Sequence, residues 1–245
     1  MVPAVILAAG LGQRVAARTN GAPKALLEVN GRTLLERQLD ALESAGFRDV
    51  IVVTGYGADH IRRALPRTGS SLSITERWNP DYATANNIVS ALTVSDVVGD
   101  GFCLLNSDIT FDPSILRDVA ARDVGNWLVV DGDEPLGPEE MKVVLDNRGV
   151  LTRISKRLEP EASVGEYIGI CRFDGAGAAT LMASGRRLVD SGAVHLYYED
   201  AIDAAATELA MRPSWTQKRA WTEVDDDDDY QRAVRVAMAL DAVAT

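Results

Sequence analysis

A glycine-rich turn lies near the start of the chain, in the stretch VILAAGLGQR. Apolar residues lead into Gly10 and Gly12, and two cations follow at Arg14 and Lys24. Because glycine has no Cβ, such a turn lets backbone N–H groups approach phosphate oxygens closely. The pattern predicts a turn that wraps a nucleotide triphosphate, although a tight turn with two solvated cations has the same composition.

Two better-known phosphate motifs do not fit this turn. The dinucleotide motif needs a glycine or alanine where the chain has Val15, and no clear acidic strand end follows at the right distance. The string G-x-x-x-x-G-K-[ST] occurs nowhere in the sequence. The turn must therefore be of another type, with a basic residue at its end and a lysine further along.

A carboxylate in the middle of the chain could bind a metal ion. Asp108 ends the apolar run FCLLNSD, and ligands of open α/β folds bind at the carboxyl edge of the sheet. Reactions of a triphosphate need a hard divalent cation, and Mg²⁺ prefers one or two carboxylates together with phosphate oxygens and waters. We therefore expect Mg²⁺ at Asp108, with a second carboxylate from elsewhere in the chain.

The composition is that of a globular protein. The 245 residues are 47% hydrophobic and 25% charged, and the net charge of −11 argues against binding to nucleic acid or anionic membranes. Cys103 and Cys171 lie in apolar runs and are expected to be reduced core residues. Without a secretory leader or a transmembrane run, the chain is expected to be soluble and cytoplasmic.

Strand-like and helix-like segments alternate through the first half of the chain. This order predicts an α/β fold, a Rossmann-like and mostly parallel sheet flanked by helices. Thr33 and Gly46 are expected to bound one helix, and Asp112 to cap another. The predicted strands cover 4–9, 49–55, 71–75, 101–108 and 126–132, and the predicted helices cover 33–46, 58–65, 84–97 and 112–122.

The pattern changes after Gly132. Residues 141–156 are typical of a hairpin with its turn at 147–149, followed by a strand at 165–173 and helices at 175–192, 199–210 and 226–243. We expect one domain over residues 1–245. Residues 1–132 would form its nucleotide-binding half, and residues 133–245 a smaller α+β half that binds the acceptor.

The motifs together resemble a known family. The stretches LAAGLGQR, PKALLEVNGRTLLERQLDALESAGF and IVVTGY are similar to the signature of the nucleotidyltransferases that make nucleoside-diphosphate sugars and alcohols. The segment NPDYATANNIVSAL is similar to that of CTP:phosphocholine cytidylyltransferases and related phosphonate cytidylyltransferases. The resemblance implies the nucleotide-diphospho-sugar transferase type of fold, with CTP as the donor.

The same resemblance implies a set of nucleotide contacts. Arg14, Lys24 and Asp108 would be catalytic, with the two cations on the phosphates. An alternative for Asn86 and Asn87 is that they only satisfy the backbone at the start of a helix. The implied nucleotide-binding residues are Leu7, Ala8, Ala9, Gly10, Gly12, Arg14, Lys24, Tyr56, Asn86, Asn87, Ser90 and Asp108.

The resemblance also implies the second metal ligand. The stretch WTEVDDDDDY matches a late E-[IV]-D strand end of the family, which assigns Mg²⁺ to Asp108 and Asp225. We interpret residues 226–229 as the negative first turn of the last helix, which the helix macrodipole favours.

Acceptor contacts are expected from the second half of the chain. A choline-like acceptor needs aromatic faces beside negative charge, whereas a primary amine would use the acids without the aromatic cage. Tyr82, Tyr167 and Trp127 could add walls, although core packing also explains each aromatic residue and surface exposure each lysine. The implied acceptor-binding residues are Lys142, Lys156, Glu166, Tyr197, Tyr198, Glu199 and Asp200.

The expected function is a Mg²⁺-dependent transfer of CMP from CTP to a small phosphorylated alcohol or phosphonate, with release of pyrophosphate. Phosphocholine and 2-aminoethylphosphonate represent the two types of acceptor. A sugar-1-phosphate nucleotidyltransferase that uses another NTP, or a nucleotide-binding module without catalysis, stays open as an alternative.

Overall fold

A nine-stranded sheet forms the centre of the protein. The computed structural model describes residues 1–15, 17–65, 70–122 and 124–243. The sheet contains β1 (Ala4–Ala8), β4 (Asp49–Thr54), β5 (Ser73–Trp78), β6 (Gly101–Asn106), β8 (Trp127–Asp131), β9 (Lys142–Leu145), β10 (Leu151–Ser155), β11 (Gly165–Asp174) and β12 (Arg212–Trp215). Four further short strands, β2 (Glu28–Val29), β3 (Arg32–Thr33), β7 (Ile109–Phe111) and β13 (Trp221–Glu223), pair outside it.

The sheet is mixed, but most of its strands run in one direction. Strands β6, β1, β4 and β5 are parallel neighbours, and β12 is parallel to β8. Among the nine strands formed by the described residues, only β10 and β11 run the other way. The predicted α/β class, mostly parallel and flanked by helices, is confirmed.

Eight helices accompany the sheet within the described ranges. They are α1 (Leu34–Ser44), α2 (Ala58–Ala64), α3 (Asn87–Leu92), α4 (Pro113–Ala120), α5 (Gly175–Asp190), α6 (Tyr198–Ala204), α7 (Ala206–Leu209) and α8 (Asp227–Val243). One hydrophobic core lies between the sheet and α3, α5, α6 and α7, and a second lies between the opposite face and α1, α2 and α4. No helix in these ranges has both the length and the apolar character needed to cross a membrane.

Several elements are shorter than the sequence predicts. The helix expected at 84–97 is only α3, because the Asn86 side chain caps it and the chain forms turns after Thr93. The helix expected at 199–210 is divided at Ala205 into α6 and α7. Strand β12 and the small β7–β13 sheet were not predicted, since neither β12 nor β7 has a period-two pattern long enough to indicate a strand.

Strands from residues 133–245 pair with strands from residues 1–132, which joins the two parts of the chain into one sheet. Strand β11 pairs antiparallel with β6, with Cys171 opposite Leu104. The side chain of Asp131 at the end of β8 accepts hydrogen bonds from the Thr216 hydroxyl at 3.0 Å and from the Trp221 indole N–H at 2.6 Å. The cleft at the carboxyl ends of β1 and β6 is therefore built from both halves.

The predicted start of α1 is confirmed in atomic detail. The Thr33 hydroxyl accepts a hydrogen bond from the Glu36 backbone N–H at 3.1 Å, and the Glu36 carboxylate accepts one from the Thr33 N–H at 2.8 Å. This reciprocal pair is a capping box. Gly46, which follows the helix, has a φ of +89°, where a residue with a Cβ would be strained.

We predict that Thr33→Ala lowers the free energy of unfolding by about 1 kcal/mol, because it leaves an N–H group at the start of α1 without its cap. Urea denaturation at pH 7 measures this loss. Thr207→Ala, on the exposed surface of α7, is the matched control and should be close to neutral. Equal stabilities for Thr33→Ala and the unmodified protein would contradict the capping role.

Candidate active site

A cavity of about 470 Å³ opens at the carboxyl ends of β1 and β6. Its walls contain most of the predicted site residues: Leu7, Ala8, Ala9, Gly10, Gly12, Arg14, Lys24, Asn86, Asn87, Ser90, Asp108, Lys156, Glu166, Tyr197, Glu199 and Asp225. Residues predicted to bind the nucleotide and residues predicted to bind the acceptor thus line one cavity.

The structure does not bring four of the predicted residues to this cavity. Tyr56 does not line the cavity but bonds to residues on either side of the glycine turn. Its backbone N–H donates to the Ala9 carbonyl at 3.1 Å, and its hydroxyl donates to the Gly21 carbonyl at 2.7 Å. Lys142 is 1% exposed, and its ammonium donates to the carbonyls of Gly137 at 2.9 Å and Glu140 at 3.1 Å. Its charge therefore fixes the preceding loop.

Tyr198 and Asp200 also have structural partners. The buried Tyr198 hydroxyl is 2.8 Å from that of Tyr167 and donates to Asn106 Oδ1 at 3.1 Å. The Asp200 carboxylate accepts from the Tyr197 N–H at 2.8 Å, which caps α6. Tyr197 itself is 41% exposed and faces the cavity, so one tyrosine of the pair packs in the core and the other lines the site.

The glycine turn packs directly against Lys24. Gly12 has a φ of +55°, and a Cβ there would lie 2.8 Å from the Lys24 Cβ. A Cβ on Gly10 would meet nothing within 4 Å. The turn is therefore closed towards the lysine at Gly12 and open at Gly10, which leaves room for a ligand against its backbone.

Lys24 holds two carboxylates together. Its Nζ donates to Asp108 Oδ2 at 2.9 Å and to Asp225 Oδ1 at 2.6 Å, and Arg14 Nη2 donates to Asp225 Oδ2 at 3.0 Å. Burial opposes the charged ammonium, but the two carboxylates outweigh it and raise the pKa of Lys24. Although burial alone would raise the pKa of Asp225, the Lys24 ammonium holds it below its ordinary value.

The small β7–β13 sheet explains how residues from such distant positions meet. Glu223 in β13 pairs with Ile109 in β7, directly after Asp108. The Val224 N–H then donates to the Asp108 carbonyl at 2.9 Å, so Asp225 begins beside Asp108. The cluster contains Asp225 and not the four aspartates that follow it, three of which form the first turn of α8.

Glu223 is a third member of this cluster, and the sequence reasoning missed it. Oxygen atoms of Asp108, Glu223 and Asp225 lie within 4.8 Å of one another. Burial and the neighbouring carboxylates Asp108 and Asp225 raise the pKa of Glu223 to about 8. The signal was present, because residues two apart at a strand end project to the same face, and Glu223 precedes Asp225 by two.

The cluster suits a divalent cation. Three carboxylates at this separation repel one another, and Asp108 Oδ1 is buried without a hydrogen-bond partner among the residues that the structure describes. Hard cations such as Mg²⁺ bind such oxygens. Asp108, Glu223 and Asp225 could therefore hold Mg²⁺ beside the glycine turn.

Asn86 and Asn87 accept hydrogen bonds at the starts of helices and also line the cavity. Asn86 Oδ1 accepts from the Asn87 N–H at 2.8 Å, and Asn87 Oδ1 accepts from the Tyr198 N–H at 2.9 Å. The Ser90 hydroxyl accepts from the buried Asn79 side chain at 2.9 Å. The alternative that Asn86 and Asn87 satisfy backbone groups is therefore observed, and both also line the cavity.

Acidic side chains dominate the wall formed by the residues that are predicted to bind the acceptor. Burial, with Glu140 and Asp131 nearby, raises the pKa of Glu166 to about 7. Burial raises the pKa of Glu199 to about 7 as well, and the side chain is only 4% exposed. Lys156 faces the same space, with Glu139 3.8 Å from its ammonium.

Residues 4–160, more than half of the chain, match the sequence model of the family described as the MobA-like NTP transferase domain. The chain therefore belongs to this family and is a nucleotidyltransferase. The match covers the glycine turn, Lys24 and Asp108, and extends to Lys156.

Two named relatives are similar over nearly the whole chain. The CMP-5'-(3-aminopropyl)phosphonate synthase of Streptomyces rubellomurinus is 30% identical over 95% of this chain, which spans only 38% of that relative's length. The choline-phosphate cytidylyltransferase of Streptococcus pneumoniae is 25% identical over 94% of this chain and 95% of its own. The solved structure of CTP:phosphocholine cytidylyltransferase from Streptococcus pneumoniae shares the fold, with a TM-score of 0.79 and 22% identity over 97% of this chain and all of that chain.

We predict that the stability of the protein falls as the pH rises from about 5 to 8, in part because of Glu199. A glutamate with a pKa near 4.5 in the unfolded chain and about 7 in the fold binds more protons when folded, so ionisation favours unfolding in this interval. Glu199→Gln should remove on the order of 2 kcal/mol of this decline, measured by urea denaturation across the range. Glu208→Gln, on the exposed side of α7, is the control and should follow the unmodified protein. Parallel profiles for Glu199→Gln and the unmodified protein would contradict the raised pKa.

Proposed function

We propose that the protein transfers CMP from CTP to a small phosphorylated alcohol or phosphonate and releases pyrophosphate, with Mg²⁺ as the cofactor. The observation that carries this proposal is one cavity that joins the glycine turn and Lys24, a cluster of three carboxylates, and a second polar wall at Lys156 and Glu166. That arrangement offers separate positions for a triphosphate, a cation and a second anionic substrate.

The choice of CTP comes from the relatives. Two similar proteins are named as a CMP-phosphonate synthase and a choline-phosphate cytidylyltransferase. A third, the 2-aminoethylphosphonate cytidylyltransferase of Lancefieldella rimae, is 36% identical over 40% of this chain. We therefore propose cytidine as the base, a phosphate or phosphonate as the acceptor, and a cytoplasmic location for the reaction.

The chain's own residues divide the work along the cavity. We propose that residues 1–132 bind the nucleotide and that the remainder contributes the acceptor wall. Asp108, Glu223 and Asp225 would hold Mg²⁺, which would supply positive charge against the triphosphate oxygens. Lys24 and Arg14 would donate to phosphate oxygens, and the open backbone at Gly10 would accommodate them.

The reaction needs no general base from the protein. An acceptor phosphate or phosphonate oxygen is already anionic near neutral pH, so it can form the new bond to the α-phosphorus of CTP directly. The bond from the α-phosphorus to the bridging oxygen breaks, and pyrophosphate leaves with the electron pair. Catalysis by the protein then consists of alignment of the two substrates and stabilisation of negative charge.

A direct test is pyrophosphate release from CTP, UTP, GTP and dTTP with aminophosphonates, phosphocholine and glucose 1-phosphate as acceptors. We expect release to require Mg²⁺, CTP and one of the non-sugar acceptors. Faster release from another NTP with the sugar phosphate would support a sugar-1-phosphate nucleotidyltransferase instead. No release from any pair would contradict catalysis.

We predict that Lys24→Met lowers turnover by roughly two to three orders of magnitude, as loss of one preorganised electrostatic contact does at other active sites. Steady-state pyrophosphate release with CTP measures the loss, and thermal unfolding confirms that the variant is folded. Lys218→Met, at an exposed lysine on the loop after β12, is the matched control. Turnover within a factor of three of the unmodified protein would remove Lys24 from the catalytic residues.

A further inference from the structure

The acceptor-side wall contains a carboxylate whose bonding is incomplete. Glu199 Oε2 is buried and has no hydrogen-bond partner within the described part of the chain. Neither Glu199 nor Glu166 belongs to any ion pair between described side chains, although both line the cavity. A buried acceptor left unpaired is costly, and such a group within a binding cavity indicates a ligand that donates to it.

Another deeply buried acid of this fold, away from the cavity wall, is satisfied by the protein itself. Asp131, which is also buried, accepts from the Thr216 hydroxyl and the Trp221 indole N–H. The contrast with Glu199 is not a matter of depth, because both side chains are at most 5% exposed. What distinguishes Glu199 is that its unpaired oxygen belongs to a residue on the cavity wall.

Lys156 adds a positive charge to a cavity that is also lined by two groups of acidic residues. Its positive charge lowers the pKa of Glu223 and Asp225 in the carboxylate cluster and also that of Glu166 and Glu199. The ammonium, which lines the same cavity, is therefore close enough to influence both groups of acids. The described protein partner within ion-pair distance is Glu139, an 84% exposed carboxylate 3.8 Å away, so Lys156 remains accessible to an anion.

This combination of charges on one cavity wall fits a small zwitterion. Its phosphate or phosphonate would lie between Lys156 and the cation held by the cluster, and its positive end would extend to Glu199 and Glu166. A sugar phosphate would offer hydroxyl donors to these acids but no positive charge to balance theirs.

The wall also distinguishes between two kinds of positive end. A quaternary ammonium has no N–H group and is bound best by aromatic faces, above all tryptophan. Tyr82, Tyr167 and Tyr197 line the cavity and no tryptophan of the described residues does, but a quaternary ammonium held against these rings would leave Glu199 Oε2 without a donor. A primary ammonium has three N–H donors and needs oxygen acceptors, which Glu199 and Glu166 supply.

We infer that the acceptor is a short-chain phosphonate or phosphate ester with a primary ammonium group, and that Glu199, assisted by Glu166, selects it by accepting N–H hydrogen bonds from that group. This inference depends on the proposed function, because it concerns the second substrate of the same reaction. It goes beyond the similarity to named relatives, which include both aminophosphonate and choline-phosphate enzymes.

The test compares three acceptors with CTP and Mg²⁺: 2-aminoethylphosphonate, its methyl isostere propylphosphonate, and phosphocholine. For the unmodified protein we expect kcat/KM to be at least tenfold higher with the primary amine than with either of the others. Glu199→Gln should reduce the ratio of amine to isostere by about 10- to 100-fold, the factor of one charge-assisted hydrogen bond. A general structural defect would instead lower kcat/KM with both acceptors in parallel and leave their ratio unchanged.

Two further proteins complete the design. Glu166→Gln should reduce the same ratio, by a smaller factor than Glu199→Gln. Glu208→Gln, remote from the cavity on the exposed face of α7, should leave all three values unchanged.

The outcomes separate the two proposals. Cytidylyl transfer that is equally fast with propylphosphonate, or faster with phosphocholine, would overturn the inference and leave the proposed function intact. An unchanged amine preference in Glu199→Gln would overturn the role of that residue. Pyrophosphate release that requires a sugar phosphate or an NTP other than CTP would overturn the proposed function itself.

Discussion

The ion-pair triad of Lys24 with Asp108 and Asp225 is the interaction on which the site depends. Two like charges about 4 Å apart near a protein surface repel by on the order of 4 kcal/mol, so a cluster of partly buried carboxylates needs a nearby cation. Lys24 provides that cation at 2.9 Å and 2.6 Å from its two partners. It also lies against Gly12, so the position of the glycine turn and that of the carboxylates are set by the same side chain.

The topology of the chain is arranged to make this contact possible. Strand β6 ends just before Asp108, and the chain then forms the elements from β7 to β12 before β13 returns to pair with β7. Residues 1–132 and 133–245 are therefore joined through β11 and β12 in the main sheet and through β13 at the site. A change in residues 133–245 that displaced β13 would move Asp225 and Glu223 with it.

Local patterns sufficed for most of the architecture but not for every side chain. Thr33, Gly46 and Asp112 carry their own capping chemistry, so the ends of α1 and the start of α4 follow from neighbouring residues. Lys142 shows the limit of this reasoning, since a lysine in a strand is expected to be exposed. Its burial is decided by the loop at 137–140, which folds back over it and supplies three carbonyl oxygens.

Positions set by tertiary structure were the hardest to predict at the site. Tyr197 and Tyr198 are adjacent and chemically identical, yet only the former lines the cavity, because α6 begins between them and its packing orients them differently. Glu223 joins the cluster through the pairing of β13 with β7, and the sequence indicated the strand end at β13 but not its partner β7. The residue types were visible in the sequence, whereas their directions required the fold.

The most direct measurement is a crystal structure of the protein with Mn²⁺ and a non-hydrolysable CTP analogue, with anomalous scattering used to locate the metal. We predict an anomalous peak coordinated by Asp108 and Asp225 with Glu223 as a third carboxylate, and the Lys24 ammonium within hydrogen-bond distance of a phosphate oxygen. A bound nucleotide whose metal lies away from these carboxylates, with Lys24 still paired to both aspartates, would contradict the assignment of this cluster.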